Sequence, residues 1–210
     1  MPETLIGLFP DIGASYFLNE LPGELGMYLA LTGIRINAAD AVYCGLATHF
    51  VPSHDHAAVL SRLVQGERPG VVLATLSGPA AGVAMLAAHR DAIDRAFAAP
   101  SVKDILDRLE LEGDWGRETA TMLRRRSPTS LKVTFRQMRE GEALDFESCQ
   151  RMEFRIMART MAGHDFYEGV RAAIIDKDQT PRWVPADLNM VSESEIEEYF
   201  APLDDEEFTL

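Results

Sequence analysis

The chain has 210 residues, 47% of them hydrophobic, which is enough for a folded unit with its own core. Its 33 acidic and 20 basic residues leave a net charge of −13, which argues against general binding to nucleic acid or to anionic membranes but leaves room for a local basic pocket. No apolar run is long enough to span a membrane and no signal or transit segment is visible, and Cys44 and Cys149 lack metal-ligand or disulfide spacing, so the expectation is a cytoplasmic protein in a reducing compartment.

The opening stretch reads Met-Pro-Glu-Thr-Leu-Ile-Gly-Leu-Phe-Pro-Asp-Ile-Gly-Ala-Ser-Tyr-Phe-Leu. Two carboxylates, Glu3 and Asp11, flank the apolar run from Leu5 to Phe9, and each directly follows a proline that stiffens the corner. Gly13 and Ala14 come just after the second acid, where small residues let a ligand approach the backbone. Acids beside an apolar wall are candidates for acid, base or nucleophile, because desolvation and mutual repulsion set their pKa values apart. The residues alone leave a plainer alternative open, with Asp11 capping a helix and Glu3 solvated at a chain end.

From Leu18 onward the pattern is helical. Gly23 to Leu31 is apolar and stops at Thr32-Gly33, and Asn37 caps a helix running to Cys44. Leu46 to Val51, bounded by Gly45 and Pro52, is the best strand candidate. Ser53 caps the next helix, with Ala57, Leu60 and Leu63 on one face, and Val71 to Leu76 reads as a short strand or a buried piece. Helices follow over Gly82 to Phe97, from Pro100-Ser101 through Leu111, and from a cap at Asp114 to the Arg124-Arg125-Arg126 run. Ser127-Pro128 opens a helix ending at Gly141, with Leu131, Phe135 and Met138 in a stripe. Asp145 begins another, with Phe146, Cys149, Met152 and Ile156 on one face, and Asp165 caps a last helix through Ile175. The acidic tail from Ala201 is expected to fray.

Four stretches resemble one known family, the shortest being Ser127-Pro-Thr-Ser-Leu-Lys132. The opening segment resembles the active-site segment of 3-hydroxyisobutyryl-CoA hydrolases, a branch of the crotonase (enoyl-CoA hydratase/isomerase) superfamily; Pro10-Asp11 stands where the hydratases have Pro-Gly. Ala14 departs from the family's usual glycine. The stretch from Ala30 to Pro52 resembles a segment shared across crotonases, where a helix and a strand close the spiral core. Phe166 to Trp183 resembles the terminal helix of the same hydrolases, which folds over the active site and helps to hold CoA.

The resemblance implies an α/β crotonase-like fold (the ClpP/crotonase spiral) represented by its C-terminal half, mostly α-helical with few short strands. It implies residues 1–52 as the end of the crotonase core with the active-site segment, 53–200 as a helical C-terminal region, and 201–210 as an acidic tail. The implied activity is hydrolysis of the 3-hydroxyisobutyryl-CoA thioester in valine breakdown, with Glu3 as nucleophile or general base and Asp11 reading the 3-hydroxyl or positioning water. Ile6, Phe9, Gly13 and Ala14 would line the acyl site, while Lys177 and Arg182 would contact the phosphates or adenine of CoA. An equal reading makes Lys177 part of a surface turn between Asp176 and Asp178. The arginine run and the Ser127 helix start offer further anion contacts, or a solvated face.

The partner implied is an acyl-CoA thioester, with no cofactor beyond the CoA of the substrate, and with self-association or a complementing N-terminal half. The oxyanion-hole donors belong to the family's first half, so this stretch by itself is expected to hydrolyse poorly, and the Leu5–Phe9 run is expected to be exposed. A hydratase or isomerase of the same superfamily, or a non-catalytic helical partner-binding fragment, are the alternatives. His49, His54, His56, His89 and His164 show no metal-ligand spacing, and neither a G-x-S-x-G elbow nor a glycine-rich phosphate loop occurs.

Overall fold

The ordered elements are helices: α1 (Ala14–Phe17), α2 (Leu25–Thr32), α3 (Ala38–Tyr43), α4 (His56–Val64), α5 (Pro69–Leu76), α6 (Met85–Phe97), α7 (Val102–Leu109), α8 (Gly113–Leu123), α9 (Pro128–Gly141), α10 (Phe146–Ala162), α11 (Asp165–Val170, continuing as a π-helical turn Arg171–Ile175) and α12 (Glu193–Phe200). A 3-10 turn, Glu3–Ile6, precedes them. The structure is a computed structural model and describes residues 1–203, 207 and 208.

Local chemistry sets most of the boundaries. Ser127 accepts the Ser130 N–H at 3.0 Å ahead of Pro128, whose missing N–H costs nothing at the first helical position. Asp145 accepts from the Ser148 N–H at 2.8 Å, and Asn37 with Asp40 forms a reciprocal capping box. Three expected caps fail. Ser53 lies in a 3-10 turn, Ser53–Asp55, and α4 starts after it behind Asp55 with no side-chain cap bond. Asp114 lies inside α8 and pairs with Arg117, and Asp165 lies in the first turn of α11, where its carboxylate serves tertiary contacts instead. Helix α12, unforeseen, has its own Ser192–Glu195 capping box, a legible S-x-x-E signal.

The chain divides into two compact units, Met1–Ile34 with Asp91–Leu210, and Arg35–Arg90. This division follows contacts, whereas the expected one at residue 52 follows the family's topology. In the first unit, α9 packs on α2, and α12 packs on α10. Their core gathers Phe9, Val133, Met152, Ile156, Val191, Ile196 and Phe200. The second unit holds α3, α4, α5 and the first part of α6, and the Asp40 carboxylate accepts the Leu86 N–H at 2.8 Å there. Val72 and Cys44 are buried in it, while Leu60 is 65% exposed, so the expected apolar face of α4 points outward.

Neither expected strand forms. Leu46 to Val51 runs without a partner strand among the described residues, and a strand needs a neighbour to take up its N–H and C=O groups. Its Phe50 carbonyl accepts the Gly78 N–H at 3.0 Å instead. Val71 to Leu76 falls within α5, because Pro69 at the first helical position starts a helix. The tail from 201 lies partly outside the described residues. Within it Glu207 pairs with Arg155 and Phe208 stacks on Phe154 at 5.3 Å, so these two residues are anchored rather than frayed. The Leu5–Phe9 run is also less exposed than expected: Phe9 is 1% exposed, Gly7 is buried, and only Leu5 reaches 36%. The helices of the same unit cover it.

Two glycines make that covering tight. Gly7 closes the 3-10 turn in the left-handed region at φ 71, and a Cβ there would overlap the Asp165 carbonyl. A Cβ at Gly169 would overlap the Ile6 carbonyl. The start of α11 therefore lies against the backbone of the opening segment at Ile6 and Gly7.

Candidate active site

Glu3 begins the 3-10 turn that Pro2 initiates, with the Leu5 N–H donating to the Pro2 carbonyl at 2.9 Å. The neighbouring Thr4 is fully buried and donates its hydroxyl to the Leu31 carbonyl at 3.0 Å, which fastens the turn to the end of α2. One Glu3 carboxylate oxygen, Oε2, is buried and finds no hydrogen-bond partner among the described residues. Burial pushes the Glu3 carboxyl above the ordinary carboxylate value. A backbone hydrogen bond and the chain's amino group pull against this, and the charge of Asp11 adds to the rise.

Asp11 stands on a turn gripped from both sides. Gln137 of α9, wholly buried, donates its side-chain amide to the Pro10 carbonyl at 2.6 Å. Glu153 of α10, 5% exposed, accepts the Gly13 N–H at 2.8 Å, the Ser15 N–H at 3.0 Å and the Ser15 hydroxyl at 2.5 Å. Asp11 itself is half-buried, and its carbonyl accepts the Ala14 N–H at 3.1 Å. Sequence reasoning missed Gln137 and Glu153. The available signal was an acid on the apolar face of α10, beside Met152 and in phase with Cys149 and Ile156, where periodicity calls for a hydrophobe.

The other expected site residues separate. Phe9 lies in the core, Ala14 is 0% exposed, and the buried Gly13 has its N–H committed to Glu153. These three build the segment from inside rather than lining an open acyl site, because the packing of α9 and α10 occupies their surroundings. Ile6 is half-buried, with its carbonyl against Gly169. Lys177 is exposed at φ 58. Its flanking acids are taken by Arg171, which reaches Asp176 at 2.6 Å, Asp178 at 2.7 Å and Glu168 at 2.8 Å. Arg171 holds the Glu168 and Asp178 carboxyls down at about 2. Arg182 is exposed, and its backbone N–H donates to Glu168 at 2.7 Å.

A cleft of about 1000 Å³ is lined by Leu5, Arg117, Arg125, Arg126, Ala172 and Trp183 among others, but not by Lys177 or Arg182. The Trp183 indole N–H donates to the Arg125 carbonyl at 3.0 Å and shapes one wall. Arg126 donates to the Thr32 carbonyl at 2.8 Å, its buried Nε finds no partner among the described residues, and burial draws its pKa down. The cleft joins the opening segment, through Leu5, to a wall of arginines interleaved with Asp114 and Glu118, in which Arg117 pairs with Asp114 and Arg124 with Glu110. Among the described residues no group of three His, Cys, Asp or Glu is arranged to hold a metal ion, and no helix is long and apolar enough to cross a membrane.

Comparison with known proteins places this geometry. A family model described as enoyl-CoA hydratase/isomerase matches residues 1–200. The chain is 43% identical over 220 residues to the mitochondrial 3-hydroxyisobutyryl-CoA hydrolase of Danio rerio, covering 100% of this chain and 58% of that protein. It is 40% identical to the Homo sapiens protein of the same name, covering 97% and 55%. A crystal structure of a carnitinyl-CoA dehydratase from Mycobacterium thermoresistibile superposes with a TM-score of 0.92 at 34% identity, covering 100% of this chain and 60% of that one. The chain therefore spans somewhat more than half the length of the curated relatives it matches. The names of the two hydrolases overturn the expected cytoplasmic placement, since both are called mitochondrial. Free, buried cysteines report a reducing setting and not a particular compartment, and a targeting segment leaves no trace in the folded body.

Proposed function

Because this chain belongs to the enoyl-CoA hydratase/isomerase family, we propose that it carries the acids of a catalytic centre that hydrolyses the thioester of 3-hydroxyisobutyryl-CoA. The observation that carries this reading is Glu3, a half-buried carboxyl with an unpartnered buried oxygen and a raised pKa. Such a group is poised to take a proton from water at the thioester carbonyl, or to attack that carbonyl itself. With Glu3 as base, water replaces sulfur at the carbonyl and frees the CoA thiol with the hydroxy acid in one displacement; with Glu3 as nucleophile, the CoA thiol leaves first and water then cleaves the Glu3–acyl anhydride to free the hydroxy acid and restore the carboxylate. Asp11, half-buried on its gripped turn, reads the 3-hydroxyl, because an acid shielded from water by the bound substrate and left without that hydroxyl penalises a substrate lacking it.

The arginine-lined cleft beside Leu5 supports a polyanionic substrate such as CoA on a chain of net charge −13. No cofactor beyond substrate CoA is proposed. The backbone donors that stabilise the thioester oxyanion lie, by the family resemblance, in the part of the relatives that these residues do not span. The likeness to a solved dehydratase favours a hydratase reading at the level of the fold. Identity of 43% to a hydrolase, and Asp11 after Pro10, weigh for hydrolysis.

The test is Glu3→Gln in the enzyme completed with an N-terminal half, followed by thiol release. Turnover should fall by about a hundred- to ten-thousandfold while acyl-CoA binding is retained. Unchanged turnover would remove Glu3 from the reaction.

A further inference from the structure

Glu153 takes no part in the proposed reaction, yet it holds the turn that carries Asp11. Its buried carboxylate accepts from the Gly13 N–H, the Ser15 N–H and the Ser15 hydroxyl, across 140 and 138 residues of sequence. Gln137 fixes the Pro10 carbonyl on the other side. Between these anchors Ile12 sits at φ 53. A β-branched residue in the left-handed region is strained, because its Cβ crowds the backbone. The Ile12 side chain is 78% exposed, so its own packing does not account for the conformation. A strained residue persists only where its surroundings over-determine it, and the surroundings here are the two anchors.

We propose that Glu153 is a positioning residue: by clamping Gly13 and Ser15 it forces Ile12 into the left-handed region, aims the Asp11 carboxylate, and so sets the preference for a 3-hydroxyacyl group. This rests on the reading of Asp11 as the group that meets the hydroxyl. Glu153 is suited to the task because a carboxylate offers two acceptor oxygens to donors that all point inward from one short loop. A glutamine keeps the shape but turns one of those oxygens into a donor facing a donor.

The test uses the enzyme completed with an N-terminal half and two measurements. Calorimetric titration compares 3-hydroxyisobutyryl-CoA with isobutyryl-CoA, and carbon chemical shifts of Ile12 report the sign of its φ. Glu153→Gln should cut the preference for the hydroxylated ester by about tenfold, leave isobutyryl-CoA affinity unchanged, and move the Ile12 shifts out of the left-handed range. Adding Ile12→Gly to Glu153→Gln should restore much of the preference, since glycine reaches that φ without strain; general loosening of the core would not be rescued this way. If Glu153→Gln does not fold, Ser15→Ala carries the test, because it removes only the hydroxyl contact and should lower the preference in the same direction. Unchanged preference and unchanged Ile12 shifts in whichever variant folds would overturn the proposal. If the unmutated chain itself ignores the hydroxyl, the reading of Asp11 fails and the specificity role with it, while the Ile12 shifts still decide the clamp.

Discussion

The Ser127 hydroxyl donates to the buried Asp165 carboxylate at 2.5 Å, tying the cap of α9 to the first turn of α11. The same carboxylate accepts the Val184 N–H at 2.8 Å and meets the His164 ring at 3.1 Å. One acid thus joins two helices to the segment that runs on to α12. Asp165→Ala would leave a buried hydroxyl and a backbone N–H without their acceptor, at about 1–3 kcal/mol for each unsatisfied group. The expected loss is about 2–4 kcal/mol, read as a lower urea midpoint at unchanged slope.

Gly169 offers a test in which local propensity and packing have opposite signs. Glycine inside a helix is about 1 kcal/mol worse than alanine, so α11 on its own should gain from Gly169→Ala. Here the new Cβ would overlap the Ile6 carbonyl, which is backbone and cannot swing aside. Gly169→Ala should therefore destabilise by about 1–3 kcal/mol, as overpacking does. Thermal unfolding settles the sign: a raised Tm would mean that the opening segment yields to α11.

The Arg171 cluster predicts acid sensitivity in one turn. Glu168 and Asp178 have folded pKa values depressed to about 2, chiefly by hydrogen bonds from Arg171, so what they contribute is present above the ordinary carboxylate range and lost as pH falls from there toward 2. The Thr180 N–H, bonded to Asp178 at 2.9 Å, and the Arg182 N–H, bonded to Glu168, should lose exchange protection across that window and keep it above. Arg171→Ala should move the loss to higher pH. Protection that stays level down to pH 2 would show that the backbone holds this turn without the cluster.

Glu3 gives the opposite sign. Its folded pKa is raised by burial, so the folded chain binds its proton more tightly than the unfolded chain does. Its favourable contribution is full below the ordinary carboxylate value and is lost as pH rises through the folded value. Glu3→Gln, which cannot ionise, should then be neutral or stabilising at neutral pH while abolishing turnover. Unfolding curves of both proteins from pH 4 to 8 check this, and a variant clearly weaker than the parent at pH 7 would contradict it.

The two acids of the candidate site are marked in the sequence by residue type together with the family resemblance. Glu3 and Asp11 stand out because prolines precede them and an apolar run separates them, and the helix starts at Asn37, Ser127 and Asp145 follow from cap chemistry that acts over three or four residues. The strand expected at Leu46–Val51 does not form, and of the two readings of Val71–Leu76, short strand or buried piece, the strand does not form either, because a short apolar run specifies burial and not pairing. A strand exists only where a neighbour completes its hydrogen bonds.

What the sequence determined by itself is therefore local: which residues cap, which stop a helix, and where two acids lie close along the chain. What only the tertiary structure decided is which groups meet across long separations. Glu153 grips Gly13, Gln137 grips Pro10, and Gly169 admits the Ile6 carbonyl. The physical reason is range. Caps and turns are governed by torsions and hydrogen bonds within one helical turn, and these are written in neighbouring letters. Desolvation of Glu3 and the clamp on Asp11 depend on which distant helices exclude water and bring an acceptor to the spot, and only the packed chain supplies that.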